Sequence, residues 1–382
     1  MTSQTAIPCI YMRGGTSKGT FFRADDLPAE PALRDRVLAS AMGGPDPLQI
    51  DGMGGGHPLS SKVASISPSL REEVDVDYLF LQVSPETGRI DTTQNCGNML
   101  AAVGPFAIEQ GLVKAGDPLT HVRVYMVNSG NVCDLTVQTP GGQVLYEGKT
   151  AIDGVPGTGA AILCDYLDIA GSATGAMLPT GHAMDRIDDL NVTLIDNGMP
   201  VVVVAAEDLG VQGSEPPVTL EANASLVAAK ESIRLQAGRM MGLGDVSDKT
   251  VPKVCLVSPP RQGGQLATRT FIPHACHKAI GVLGAASVAT ACLLADSVAA
   301  RIAEPITPDD SGESDVIIEH PSGSFHLKIR ARSTESGLDV QSVGVLRTAR
   351  MLFRGEILIP RSVWAGHSAA GVQTVAAGAG HG

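Results

Sequence analysis

The chain has 382 residues, 43% hydrophobic and 18% charged, a globular composition long enough for two or three domains. Aromatics make up only 3% while glycine numbers 44, which points to tight turns and small side chains in the core. A net charge of −12 argues against a general nucleic-acid binder, although it leaves room for a local cationic pocket that takes an acidic metabolite.

The seven cysteines are scattered at 9, 96, 133, 164, 255, 276 and 292, with no CxxC pair, so reduced thiols fit better than a disulfide framework or zinc ribbon. The first residues lack the basic and apolar regions of a signal peptide. The near-apolar run from Ala279 to Ala295 is short for a membrane span and carries Gly, Ser and Thr. The expectation is a cytoplasmic protein that binds neither nucleic acid nor membrane.

In chain order, Ile7 to Tyr11 reads as a strand and Met12 to Gly19 as a glycine-rich loop, with Thr20 to Phe22 resuming a strand. Pro31 to Ala41 is an amphipathic helix with proline at its start and Gly43 beyond its end. Asp51 to Lys62 is too rich in glycine for a regular element and reads as a ligand-approach loop; Val63 to Ile66 and Tyr78 to Val83 are strands. The polar stretch Asp91 to Asn98 then delivers Cys96 to the mouth of a helix, Met99 to Gln110, that is apolar on nearly every face and so belongs in a core. Asn98 or Asn95 could cap it and Gly111 could close it. A helix mouth favours negative charge, so a thiol there would meet anions; the plainer reading is a small core cysteine.

His121 to Val127 and Val132 to Gln138 alternate as a hairpin, and Gly141 to Gly181 is looser. A second half begins near Asp185. It holds strands Leu190–Ile195, Val201–Ala205, Val254–Val257 and Leu266–Phe271 and a long helix, Leu220 to Met241. A second helix apolar all round, Ile280 to Ala295, is entered through His274 to Lys278. Val316 to Arg330 forms a hairpin, and Leu338 to Ile359 gives closing strands. No strong residue-level repeat is visible, but the order of elements recurs. A sheet wrapping each buried helix is the economical solution, with the two helix mouths facing each other across a cleft suited to a small polyanion.

Several motifs carry residues capable of chemistry. Gly14 to Gly19 lacks the Gly-Lys-Ser/Thr order of a phosphate loop but offers N–H groups, two hydroxyls and an ammonium to a carboxylate; a plain hairpin turn is the alternative. Gly52 to Gly56 holds no dinucleotide fingerprint. His274, Cys276 and His277 match no zinc spacing, so no metal is expected. His277 and Lys278 read as anion contacts or as ordinary surface charge. Lys62, between a polyglycine loop and an apolar strand, reads as a partly buried base or as a solvated lysine. No nucleophile elbow supports a hydrolase.

Met12 to Gly19, Ser60 to Ala64, Gln94 to Asn98 and Pro273 to Gly281 together resemble the PrpF-type isomerases, a family that includes methylaconitate and methylitaconate isomerases. The stretch Asn95 to Val113 is similar to the 4-oxalomesaconate tautomerases of aromatic-acid breakdown, such as gallate and protocatechuate degradation. The resemblance runs from Ile7 to about Ile359. It implies an α+β, diaminopimelate-epimerase-like fold: two similar domains, 1–184 and 185–382, each a β-barrel around a central helix, with the last strands crossing back to the first domain. It implies catalysis by Lys62 and Cys96, with no cofactor and no metal. A small polycarboxylate would be bound by Arg13, Thr16, Ser17, Lys18, Gly97, Asn98, His277 and Lys278, and a homodimer is possible within the family.

Related two-base epimerases carry a second cysteine at the second helix entrance, where this chain reads Gly281 to Ser287 without one. That departure favours an allylic proton shift in an unsaturated oxo-tricarboxylate over inversion of a stereocentre. The alternatives are a methylaconitate or methylitaconate isomerase, an amino-acid or hydroxy-acid racemase or epimerase, and a carboxylate-binding protein without catalysis.

Overall fold

The computed structural model describes residues 3–93, 95–334 and 337–367. The first half contains strands β1 (Gln4–Gly14), β2 (Ser17–Arg23), β3 (Lys62–Pro68), β4 (Val76–Val83), β5 (Ile90–Asp91), β6 (Leu119–Met126), β7 (Asn131–Gln138) and β8 (Ile162–Leu167). Its helices are α1 (Pro31–Met42), α2 (Gly97–Leu100) and α3 (Val103–Glu109). The second half contains β9 (Asp185–Ile187), β10 (Leu190–Asp196), β11 (Pro200–Ala205), β12 (Lys253–Ser258), β13 (Leu266–Ile272), β14 (Ala275–Cys276), β15 (Glu313–His320) and β16 (Gly323–Thr334). Two closing strands follow, β17 (Gly337–Arg347) and β18 (Ala349–Pro360), and the helices are α4 (Pro217–Glu221), α5 (Ala224–Met240), α6 (Val282–Leu293) and α7 (Val298–Ile302).

The halves repeat one pairing scheme. In the first, β1–β2 is antiparallel, β2–β3 parallel, β3–β4 antiparallel and β4–β6 parallel. In the second, β10–β11, β11–β12, β12–β13 and β13–β15 follow the same alternation. Each parallel step needs a crossover, and the helices supply it: α1 and α2–α3 in one half, α4–α5 and α6–α7 in the other. A short strand, β5 on β4 or β14 on β13, feeds each central helix. The last strands return: β17 pairs with β8 and β18 with β1.

Strand alternation sorts side chains between cores. Inner faces contribute Ile10, Met12, Phe21, Ala64, Ile66 and Phe80 from one half and Val201, Val203, Cys255 and Val257 from the other. They pack on helices with almost no polar surface: Met99 to Val103 and Ala107 are fully buried, as are Ala285, Ala286, Val288 and Ala289. Burying the methionine, leucine and valines among them stabilises the fold by roughly 1.5–3 kcal/mol each, and each alanine by less. Outer faces are covered by α1 and α5, which form two smaller clusters. Asn197, fully buried, ties the β10–β11 turn to α6, its N–H donating to Ser287 Oγ at 3.0 Å and its Nδ2 to Thr290 Oγ1 at 2.7 Å.

Three expectations are corrected. The Cys96 helix is broken at Ala101–Ala102, because Pro105 has no N–H for the Ala101 carbonyl and its ring crowds that carbonyl. The Leu220–Met241 helix is two, since Asn223 turns out of the first and caps the second by accepting from Leu226 N at 3.1 Å. Met12 to Gly19 is not a loop but the end of a hairpin, Gly14 facing Ser17 across a Gly15–Thr16 turn. Glycine is required there by close approach: a Cβ on Gly14 would sit 2.4 Å from the Asn98 carbonyl oxygen. Among the described residues, no helix is long and apolar enough to cross a membrane.

Candidate active site

One face of β4 organises the site. Tyr78, Phe80 and Gln82 alternate toward the central helix. The Tyr78 hydroxyl donates to the Cys96 carbonyl at 3.3 Å. Lys62 Nζ lies 4.9 Å from the centre of the Phe80 ring and donates to Gln82 Oε1 at 2.6 Å. The Gln82 amide is oriented from behind, its Nε2 donating to the carbonyls of Ser61 at 2.9 Å and Pro58 at 3.2 Å, which turns Oε1 toward the lysine. Asn128 clamps the same strand through both backbone groups of Phe80, each at 2.9 Å. Lys62 is only 8% exposed, as an ammonium held by an amide and an aromatic face can be. The lysine and the cysteine turn are thus both held against one side of one strand.

Cys96 is the N-cap residue of α2, its carbonyl accepting from Leu100 N at 3.0 Å. It differs from the other six cysteines, which are all buried, while Cys96 is half-buried. Burial pushes the thiols of Cys164, Cys255 and Cys292 up to about 12, which leaves them inert. Neither asparagine caps the helix. Asn98 lies inside the first turn and grips the β1–β2 turn instead: its Nδ2 donates to Thr16 Oγ1 at 3.0 Å and its Oδ1 accepts from Thr16 N at 3.4 Å. Asn95 donates to Ser129 Oγ at 2.5 Å. Gly111 does follow the helix end in the left-handed region, at φ 67°. Gln94 lies outside the described residues.

The β1–β2 hairpin divides the expected binding residues by face. Ser17, buried, lies on the inner face with Phe21, and its Oγ has no hydrogen-bond partner. Lys18 and Arg13 share the opposite face. Lys18 is exposed, with Nζ 5.8 Å from the Tyr11 ring. Arg13 braces the turn by donating from Nη1 to the carbonyls of Gly15 and Thr348, both at 2.9 Å. The hairpin therefore brings Thr16 and Ser17 to α2 and turns Arg13 and Lys18 away.

The mouths of the two central helices meet. A Cβ on Gly97 would lie 3.0 Å from Val282 Cγ2, whereas one on Gly281, the N-cap of α6, would find no atom within 4 Å. His277 and Lys278 are exposed, and His277 Nδ1 accepts from Ala279 N at 2.8 Å, closing a local turn. A hollow of about 430 Å³ lies beyond Gln82, lined by the carboxylates of Glu86 and Asp91 and by one cation, Arg89.

The PrpF protein family matches residues 4–360. The chain belongs to that family. Among PrpF relatives, it is 54% identical to the 4-oxalomesaconate tautomerase of Pseudomonas putida (strain KT2440), over 95% of this chain and 99% of that protein. It is 53% identical to the (4E)-oxalomesaconate Delta-isomerase of Novosphingobium sp. (strain KA1), over 92% and 97%. A crystal structure of methylitaconate-delta-isomerase superposes with a TM-score of 0.85 at 33% identity, covering 97% of this chain and all of that one. With its duplicated halves, this PrpF chain has the diaminopimelate-epimerase-like α+β fold.

Sequence reading missed four residues that border this candidate site. Tyr78 and Gln82 escaped because their role depends on which face of β4 meets the helix. Tyr166 and Arg347 escaped because their strands are far from Cys96 in sequence. A signal was nevertheless present: Ile162, Cys164 and Tyr166 alternate inward, as do Val343, Val345 and Arg347, and the last member of each row carries a polar group into an apolar face.

Proposed function

We propose that this chain is a cofactor-independent 1,3-allylic isomerase acting on an unsaturated oxo-tricarboxylate, 4-oxalomesaconate, in aromatic-acid catabolism. The observation that carries this reading is the placement of Lys62 and Cys96 against the same side of β4 in a chain 54% identical, over nearly its full length, to a 4-oxalomesaconate tautomerase. The proton shift is balanced within the substrate. A base removes a proton from the carbon beside the carbonyl, the electron pair spreads into a dienolate, and an acid returns a proton to the far carbon as the double bond moves. Lys62 is the base and Cys96 the acid. An ordinary lysine lies about 4–5 kcal/mol from losing its proton at neutral pH and an ordinary thiol about 2 kcal/mol, and a polyanionic substrate raises both costs, so the base role asks the surroundings of the amine to oppose the substrate's charge. A polyanion close to the sulfur keeps the thiol protonated and ready to donate.

Thr16, Ser17, Gly97 and Asn98 form the substrate-facing wall beside Cys96, and His277 and Lys278 the outer rim of the second half. A boundary near 184/185 divides the chain into two lobes, supported by the repeated pairing scheme, with β17 and β18 returning to the first lobe. The chain acts in the cytoplasm as a homodimer, a reading supported by the exposed Leu352, Phe353 and Leu358 on β18. A spectroscopic screen of the purified enzyme against oxalomesaconate, methylaconitate and methylitaconate tests the substrate. Turnover is expected with the first, and faster turnover of either of the others would replace it.

A further inference from the structure

Two buried polar groups on the inner faces of β8 and β17 lack the partners that burial demands. Arg347 is 7% exposed and stacks on Phe325, with its guanidinium carbon 3.9 Å from the ring centroid. Its Nη1 donates to the Leu346 carbonyl at 2.9 Å, its buried Nε has no partner, and no carboxylate pairs with it among the described residues. Tyr166 is 1% exposed, and its buried hydroxyl has no partner either. That hydroxyl points at the helix mouth, since a Cβ on Gly97 would lie 2.5 Å from it. Tyr166 and Arg347 lie on the same face of neighbouring strands, Val343 facing Tyr166 and Arg347 facing Ile162, and burial pushes the Tyr166 phenol up, with Cys133 and Cys164 adding to the shift and Arg347 opposing it, so the phenol is a protonated donor. Burial pulls Arg347 down to about 10, so it keeps its charge at neutral pH.

The neighbourhood is braced rather than loose. Thr348, next to Arg347, accepts from Gly15 N and from Arg13, both at 2.9 Å, which ties the end of β17 to the turn that holds Asn98. An unpaired buried cation and an orphaned buried hydroxyl are both costly, and a rigid fold keeps them where an arriving ligand satisfies them. A guanidinium fork matches a carboxylate in two bonds, and a phenol supplies a third donor.

We propose that Arg347 and Tyr166 form a carboxylate seat beside Cys96, the guanidinium clasping one carboxylate of the substrate and the Tyr166 hydroxyl donating to it. The seat rests on the isomerase reading above and adds the residues that select a polycarboxylate.

The test uses the full chain and tricarballylate, a saturated tricarboxylate that cannot tautomerise, with calorimetric binding and thermal melting measured on the same samples. Arg347→Met is expected to lose about tenfold or more in affinity, because a charge-assisted pair is removed, and Tyr166→Phe about three- to tenfold. Arg347→Lys falls between, since a point charge replaces a fork. The unliganded Arg347→Met protein should melt at or above the wild-type temperature, and tricarballylate should raise the melting point of the wild type but not of this variant. A purely structural arginine gives the reverse: lower melting with affinity unchanged. The seat is overturned by wild-type binding in Arg347→Met or by a wild type that does not bind tricarballylate. Should that variant fail to fold, Arg347→Lys and Tyr166→Phe decide, and wild-type affinity in both overturns the seat. Oxalomesaconate turnover separates the two proposals. Binding through Arg347 without turnover sinks the substrate and leaves the seat, whereas normal turnover in Arg347→Met sinks the seat and leaves the substrate.

Discussion

The two halves of this molecule share a pairing scheme and differ in what they place at equivalent points. β3 begins on Lys62 and β12 on Lys253, both directed inward at the end of a strand that continues a parallel step. Lys62 is held by Gln82 and Phe80, whereas Lys253 has no hydrogen-bond partner among the described residues and burial pulls its amine down to about 8. The first central helix is capped by Cys96 and the second by Gly281. β6 ends on Met126 while β15 ends on His320. A duplicated fold thus offers two mouths for chemistry, and only the first is capped by a thiol. A reaction that inverts a carbon needs an acid and a base on opposite sides, whereas a proton carried along an allylic system can leave and return on one side.

The largest effect that breaks this comparison is removal of the proton-transfer pair. Lys62→Met and Cys96→Ala should each lower kcat by about 10²–10⁴-fold with little change in melting temperature, as read from steady-state turnover and thermal unfolding. Substitutions at the N-termini of the two helices, which the halves do not tolerate equally, should come next. Gly97→Ala would drive a methyl against the Tyr166 hydroxyl and Val282, and should cost about 1–3 kcal/mol of stability as well as activity. Gly281→Ala meets open space at φ −70°, and its unfolding midpoint in denaturant should stay close to wild type.

A smaller effect separates the halves by pH. His320 is buried, and burial pulls its imidazole down to about 4 from an ordinary 6.5, with Asp153 opposing and His277 adding to the shift. The unfolded chain binds this proton more readily, so stability from the neutral imidazole is complete above pH 6.5. It is lost as pH falls toward 4, by up to about 3 kcal/mol. Denaturant midpoints measured across that window should fall for the wild type and flatten for His320→Asn. An equal slope in both would remove His320 from the account.

Much of this was legible before any coordinates. Hairpins announced by alternation, the α1 boundary marked by Pro31 and Gly43, and the apolar central helices all follow from local chemistry. So did Cys96 at a helix mouth, where a polar approach meets an apolar run. What could not be read depends on faces and distance. Whether Lys18 or Ser17 turns inward is decided by the strand to which the hairpin is anchored. Arg347 comes to the first half only because β17 crosses back to pair with β8. The helix break at Ala101 has a signal in the sequence, Pro105, set inside a hydrophobic run that reads as one helix.

Heavy-water exchange tests the division of labour between Lys62 and Cys96 most directly. Substrate is incubated with each variant, and deuterium incorporation is followed separately from product formation. Cys96→Ala is expected to exchange the proton beside the carbonyl while forming little product, and Lys62→Met to do neither. Exchange at the wild-type rate in Lys62→Met would contradict that division.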